Sequence, residues 1–196
     1  SVVIDGGAIY TRNTTVTLTI NATDPIGVLS MMVSNTSSMT GAQWVNFART
    51  IQLDILSGNG ARSAYVKFRD VGGHVSAAFS DSITQDQEAP AVSVVINGGA
   101  AYTRAVNVTV DLTATENILV NSMQVGPGDG TAIAGLPWVP FQAQINLTLS
   151  QGEGTKTISA RLQDAAGNIG SANSSARVLD STAPKTTMGP LVASCP

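Results

Sequence analysis

Val2-Val3-Ile4-Asp5-Gly6-Gly7-Ala8-Ile9-Tyr10-Thr11-Arg12 returns as Val94-Val95-Ile96-Asn97-Gly98-Gly99-Ala100-Ala101-Tyr102-Thr103-Arg104, ninety-two positions later. The echo continues at Trp44/Trp138, Phe47/Phe141, Gly58-x-Gly60/Gly152-x-Gly154, Asp70/Asp164 and Ala89-Pro90/Ala183-Pro184, where the offset has grown to ninety-four. A period this long is a whole small domain, far beyond the unit of a solenoid. Each half carries enough residues to bury a modest core of its own.

Hydrophobic alternation just downstream of each opening stretch sets the fold class. Val16, Leu18, Ile20 and Ala22 alternate with Thr15, Thr17, Thr19 and Asn21, and Val108, Val110, Leu112 and Ala114 alternate with Asn107, Thr109, Asp111 and Thr113. Period-two alternation marks a strand with one face on a core and the other in water. Ala64, Val66, Phe68 and their counterparts Ile158, Ala160, Leu162 repeat it. Further strands are expected at 2–4, 29–34, 50–53 and 75–83, matched by 92–96, 122–125, 144–149 and 169–178. Clusters such as Asp5-Gly6-Gly7, Gly58-Asn59-Gly60, Gly72-Gly73 and Gly126-Pro127-Gly128-Asp129-Gly130 punctuate them. The reading is all-β: two tandem immunoglobulin-like β-sandwiches of about seven strands each. The boundaries are expected at residues 1–88 and 89–182, with residues 183–196 a tail or the start of a further module. Proline in Ala89-Pro90 and Ala183-Pro184 fixes φ and biases its neighbour towards extended geometry, which suits a stiff joint.

Composition narrows the partners. Lys+Arg 10 against Asp+Glu 13 gives a net charge of -3, with only 12% of residues charged. Without a basic stripe to neutralise phosphates, nucleic acid is not an expected partner. No run of eighteen apolar residues is present, so no membrane insertion by a helix of this segment is expected. Ser, Thr, Asn and Gly replace charge, as is common on secreted and cell-surface proteins. Cys195 has no second cysteine to join, so its thiol is left to pair between chains or to reflect only where the segment ends. Ser1 opens straight into an expected strand, so any export signal is expected to have been removed or to lie outside this sequence; Ser1 aligns with Ser93, and Lys185-Thr186-Thr187-Met188 aligns with Ala91-Val92-Ser93-Val94. The segment therefore reads as an excerpt of a longer array.

These motifs carry a family resemblance. Gly-Gly-Ala-x-Tyr-Thr, Val-Thr-Leu-Thr-Ile-x-Ala-x-Asp with Gly27-Val28 and Met32-x-Ser34-Asn35, Trp44-x-x-Phe47, Arg69-Asp70-x-x-Gly73-x-Val75-Ser76 and Ala89-Pro90 together resemble the bacterial immunoglobulin-like repeats found in tandem on secreted and surface proteins. The resemblance covers residues 1–184. It implies a fold and no activity, because such repeats serve as stalks, adhesin arms and spacers beside enzymes. The second copy departs from the pattern at Glu116-Asn117 and at Val125-Gly126.

Each chemically suggestive group has a plainer alternative. Asp70 and Asp164, with Asp24, Asp86 and Asp180 as further oxygen donors, invite calcium; yet each acidic residue stands alone without D-x-D-x-D spacing, and Asp before glycine also caps its own turn. Turn-building is the preferred reading. Trp44 and Trp138 could form a sugar-stacking surface, but large aromatics at matched places are expected in the core. His74 stands where the other copy has Asn168; with one histidine and a remote cysteine there is no triad, zinc site or Cys-His pair. No enzyme and no cofactor is expected. Six Asn-x-Ser/Thr sequons, at Asn13, Asn21, Asn35, Asn107, Asn146 and Asn173, are candidate N-glycosylation sites, with Ser and Thr as plain strand-surface residues the alternative.

The expected function is an extracellular, non-enzymatic spacer or stalk whose partners are neighbouring domains of a longer chain, identical subunits or covalent glycans. Two alternatives stand beside it: a filament subunit assembled by strand exchange, and a carbohydrate-binding or adhesin module.

Overall fold

The structure, a computed structural model, describes residues 1–128, 133–174 and 176–185. Asp129-Gly130, Ser175, Cys195 and most of the 183–196 tail lie outside the described residues. The first half carries eight strands: β1 Val2–Ile4, β2 Tyr10–Thr11, β3 Thr15–Ile20, β4 Val28–Ser34, β5 Trp44–Asn46, β6 Thr50–Asp54, β7 Gly60–Asp70 and β8 Phe79–Gln85. The second carries β9 Ala91–Ile96, β10 Tyr102–Thr103, β11 Asn107–Thr115, β12 Val120–Pro127, β13 Val139–Pro140, β14 Gln144–Thr148, β15 Gly154–Lys156, β16 Ile158–Asp164, β17 Ile169–Asn173 and β18 Arg177–Leu179.

The duplicated opening stretch is one strand broken between two sheets. Val2 to Ile4 pair antiparallel with Ile20 to Leu18, while Tyr10 and Thr11 pair parallel with Thr84 and Gln85 in the other sheet. The crossing is made at Asp5-Gly6-Gly7, where φ is 43°, 67° and 90°; Asn97-Gly98-Gly99 repeats it at 46°, 62° and 94°. Positive φ is readily adopted by glycine and tolerated by Asp and Asn, which explains the residue choice. Asp5 Oδ1 also accepts the Thr17 amide at 2.7 Å, as Asn97 Oδ1 accepts the Thr109 amide at 2.9 Å.

In the first sandwich the sheets run β1-β3-β6 and β2-β8-β7-β4-β5. Ile4, Val16, Leu18, Ile20, Met31, Ala64, Val66 and Ile83 close a buried cluster between them. In the second, β9-β11-β14 forms one sheet, and the other layer is divided into β13-β12-β16-β17 and β10-β18-β15. Val94, Ile96, Val108, Val110, Leu112, Met123, Ile158 and Ala160 are buried there. Both alternations read from sequence thus point the expected way.

Two strands are placed differently from the sequence reading. The 75–83 strand is Phe79–Gln85; Val75 makes only an isolated bridge to Arg69 because the Asp70 turn holds its neighbours. The 169–178 strand is interrupted after Asn173, where the Ser174 hydroxyl accepts the Ile158 amide at 3.0 Å. A side chain standing in for a ladder carbonyl ends regular pairing at that point.

By packing, the described residues fall into two compact units. The first holds Ser1–Ala91 together with Ala114–Ser122 and Leu162–Gly170; the second holds Val92–Thr113, Met123–Arg161 and the described part of Ser171–Pro196.

Candidate functional site

The Asp-turns are built alike in both copies. Asp70 Oδ1 accepts the His74 amide at 2.9 Å, Gly73 N donates to Asp70 O at 3.3 Å, and Asp70 N donates to His74 O at 3.1 Å. Asp164 Oδ1 accepts from the Ala166, Gly167 and Asn168 amides at 2.8, 2.7 and 2.9 Å, and Asp164 N donates to Asn168 O at 3.1 Å. Gly73 and Gly167, at φ 91° and 94°, supply the left-handed step. The carboxylates are spent on their own turns. Among the described residues, no three or more His, Cys, Asp or Glu side chains converge on a metal position.

His74 sits over Asp70 with Nδ1 2.9 Å from Oδ2, its side chain 86% exposed. Its hydrogen bond to Asp70, then the nearby negative charge, raise the His74 pKa, and the same bond lowers that of Asp70. Beside the pair lies a cleft of about 430 Å³ lined by Asn21, Asp24, Phe68, Val75 and Phe79 among others. Asp24 caps its own turn by accepting from the Ile26 and Gly27 amides at 2.8 and 3.0 Å.

The segment beyond β8 is also tied down, by contacts that sequence reasoning missed. Asp86 is 1% exposed. Within the first unit its carboxylate accepts from Asn117 Nδ2 and Asn168 Nδ2, both at 3.2 Å, and its carbonyl accepts from Asn168 Nδ2 at 3.0 Å. A buried carboxylate needs such donors. Arg12 Nη1 donates to the Gly167 carbonyl at 2.8 Å in the same unit. The internal repeat held the clue: Asp86 recurs as Asp180 in matched surroundings.

The tryptophans correct the sequence reading. Trp44 and Trp138 are half-buried rather than core residues. Trp44 faces Met32 across the β4–β5 pairing, on the outward phase shared with Lys67 and Arg69. The Arg69 guanidinium lies 4.7 Å from the Trp44 ring centre, and that of Arg161 lies 5.5 Å from Trp138. Cation–π stacking covers a ring without burying it. Phe47 is the ring that reaches the core, 6.2 Å from Phe68. A guanidinium on each indole occupies a face that a sugar would need for stacking.

Of the sequon asparagines, Asn13, Asn21, Asn107, Asn146 and Asn173 are exposed and Asn35 is half-buried. Asn35 Nδ2 donates to the Asp54 carbonyl at 3.0 Å. Two sequons interlock across the β11–β14 pairing: Thr148 Oγ1 donates to Asn107 Oδ1 at 2.8 Å, and Thr109 Oγ1 to Asn146 Oδ1 at 3.4 Å. Asn173 accepts from the Ser159 hydroxyl; its acceptor Ser175 is outside the described residues.

No protein-family model and no curated protein matches the chain. Among solved structures, fibronectin(III)-like modules of Clostridium thermocellum CbhA are similar over 97% of this chain and 100% of that one, at 10% identity and TM-score 0.52. A tetra-tandem repeat from the extending region of a large adhesion protein aligns over 92% of this chain at 19% identity and TM-score 0.36, the match spanning 48% of that protein's chain. Chicken CNTN1 FN1-FN3 domains align over 88% of this chain and 61% of that one, at 13% identity and TM-score 0.45. The first of these likenesses shows the fold: tandem fibronectin-III- or immunoglobulin-like β-sandwich modules.

Proposed function

We propose that the chain is an extracellular, non-enzymatic spacer of the bacterial immunoglobulin-like repeat type, part of a larger surface or secreted protein. One observation carries the reading: among the described residues, the turn aspartates and the arginines beside the tryptophans are occupied in building the fold. Asp5, Asp24, Asp70 and Asp164 accept backbone amides of turns and strand crossings, and Arg69 and Arg161 cover the paired tryptophans. The strand ladder carries load, since extension must break interstrand hydrogen bonds together. Domain boundaries at residues 88 and 182, and covalent glycans on the exposed sequons, belong to the same proposal.

The filament alternative by strand exchange meets an occupied slot here, because β1 of the same chain fills the edge beside β3. Pulling the chain between reference domains by force spectroscopy tests the spacer reading. It expects two separate unfolding events, each releasing roughly 300 Å of chain for about ninety residues. A single event, or hydrolytic activity or tight glycan binding by the same preparation, overturns it.

A further inference from the structure

Of the twelve asparagines in the chain, Asn59 and Asn97 alone precede glycine. Glycine carries no Cβ, so its amide nitrogen can approach the preceding side-chain carbonyl without obstruction. The structure places the two steps in different surroundings. Asn97 is half-buried at the strand crossing, at φ 46°. Both ends of its amide are engaged, Oδ1 by the Thr109 amide of β11 at 2.9 Å and Nδ2 by Thr103 Oγ1 at 3.5 Å. Asn59 is exposed, in the bend that leads from β6 into β7.

Two polar contacts act on the Asn59 step. Gln87 N donates to Asn59 Oδ1 at 2.8 Å, from a segment beyond β8 that belongs to no strand. Arg62 Nη2 donates to Gly58 O at 2.6 Å and lies 3.5 Å from Asn59 O, the carbonyl of the Asn59–Gly60 peptide bond. Donors and a cation placed where negative charge develops lower the barrier to attack on a carbonyl. Gly60 itself pairs with Gln85 in the last rung of the β7–β8 ladder, where a strand end opens most readily.

We propose that Asn59 is a self-modifying position, where the main chain converts the side-chain amide to a carboxylate. The Gly60 nitrogen gives up its proton to solvent and attacks Asn59 Cγ. The new N–Cγ bond forms as Cγ–Nδ2 breaks, and Nδ2 leaves as ammonia with a proton taken from water. A water molecule then opens the cyclic imide at either carbonyl, adding hydroxyl to carbon and hydrogen to nitrogen. The balance is one water consumed and one ammonia released, with no change of oxidation state.

The product has a precedent in the second sandwich. Gly152-Glu153-Gly154 matches Gly58-Asn59-Gly60, and Glu153 Oε1 accepts the Ser181 amide at 3.0 Å as Asn59 Oδ1 accepts that of Gln87. An aspartyl product at position 59 keeps the acceptor and adds a charge, which strengthens the bond to Gln87. The iso-aspartyl product lengthens the main chain by a methylene and draws the acceptor away. The modification therefore sets how firmly the segment beyond β8 is held. It goes beyond the spacer reading and does not depend on it.

Peptide mapping by mass spectrometry tests it, on the whole folded chain incubated at mildly alkaline pH beside a free peptide of residues 55–62. An amide-to-acid mass gain at Asn59, resolved into aspartyl and iso-aspartyl forms, is expected. Asn97 should lag by about tenfold or more, because its held amide must first break free. Incubation in heavy-oxygen water should place one label in the product. Asn59→Gln should lose the gain with circular dichroism unchanged, and hydrogen exchange at the Gln87 amide should change as product accumulates in the parent chain. Equal conversion at both sites, or none at Asn59 by the time the free peptide has fully converted, overturns the proposal.

Discussion

Asp5 Oδ1 accepts the backbone N–H of Thr17 at 2.7 Å, pinning the point where the first strand leaves one sheet for the other. Asn97 does the same for Thr109 in the second sandwich. The shared geometry accounts for what the two copies have in common at that position: a short side chain with an acceptor oxygen, on a residue that tolerates positive φ.

Asp5→Ala therefore removes the acceptor and leaves the strain. We expect a loss of about 1–3 kcal/mol in urea unfolding. Asp5→Asn should be nearly neutral, since the other copy uses Asn; an equal loss for both would contradict this account.

The Arg–Trp pairs predict a spectroscopic effect. Arg69→Ala uncovers Trp44 and should shift its emission to longer wavelength, and a double-mutant cycle should give a coupling of about 0.5–1 kcal/mol. A core tryptophan would show neither.

The Asp70–His74 pair gives a pH dependence with a defined sign. The raised His74 pKa means its contribution is complete below about 6.5, the ordinary histidine value, and is lost as pH rises through the folded one. Asp70, whose pKa is lowered, contributes above the ordinary carboxylate range and loses it as pH falls through its folded value. As the sole histidine, His74 gives a single titrating NMR signal. Its midpoint should lie above the ordinary value and drop in Asp70→Asn; an unchanged midpoint would rule the pairing out in solution.

Gly126 is buried, and a methyl group there would lie 2.8 Å from Ile133 Cγ2 and 3.2 Å from Leu136 Cδ1. Gly126→Ala should cost about 1–3 kcal/mol. Gly135→Ala meets nothing within 4 Å and should be close to neutral; thermal melts of the two variants compare them directly.

Much of this was legible in the sequence because hydrophobic alternation and a repeat are direct records of burial. Val16, Leu18 and Ile20, with Val108, Val110 and Leu112, announced their inward face. The two- and three-residue strands β2, β5, β10 and β13 were not legible, since so short a run has no period to detect. Trp44 and Trp138 were misplaced because ring size suggests burial, while the guanidinium that covers them comes from β7 or β16, far away in sequence. The burial of Asp86 was not legible for the same reason: Asn117 and Asn168, its donors, are thirty-one and eighty-two positions distant.

The central claim is that each sandwich closes its own core. Leu112→Ala, at a side chain 1% exposed, should cost about 2–5 kcal/mol. Hydrogen exchange read by mass spectrometry should then show β9, β11 and β14 losing protection while β1, β3 and β6 keep theirs. Equal loss of protection in β3 and β6 would mean a single cooperative core, and would contradict the account.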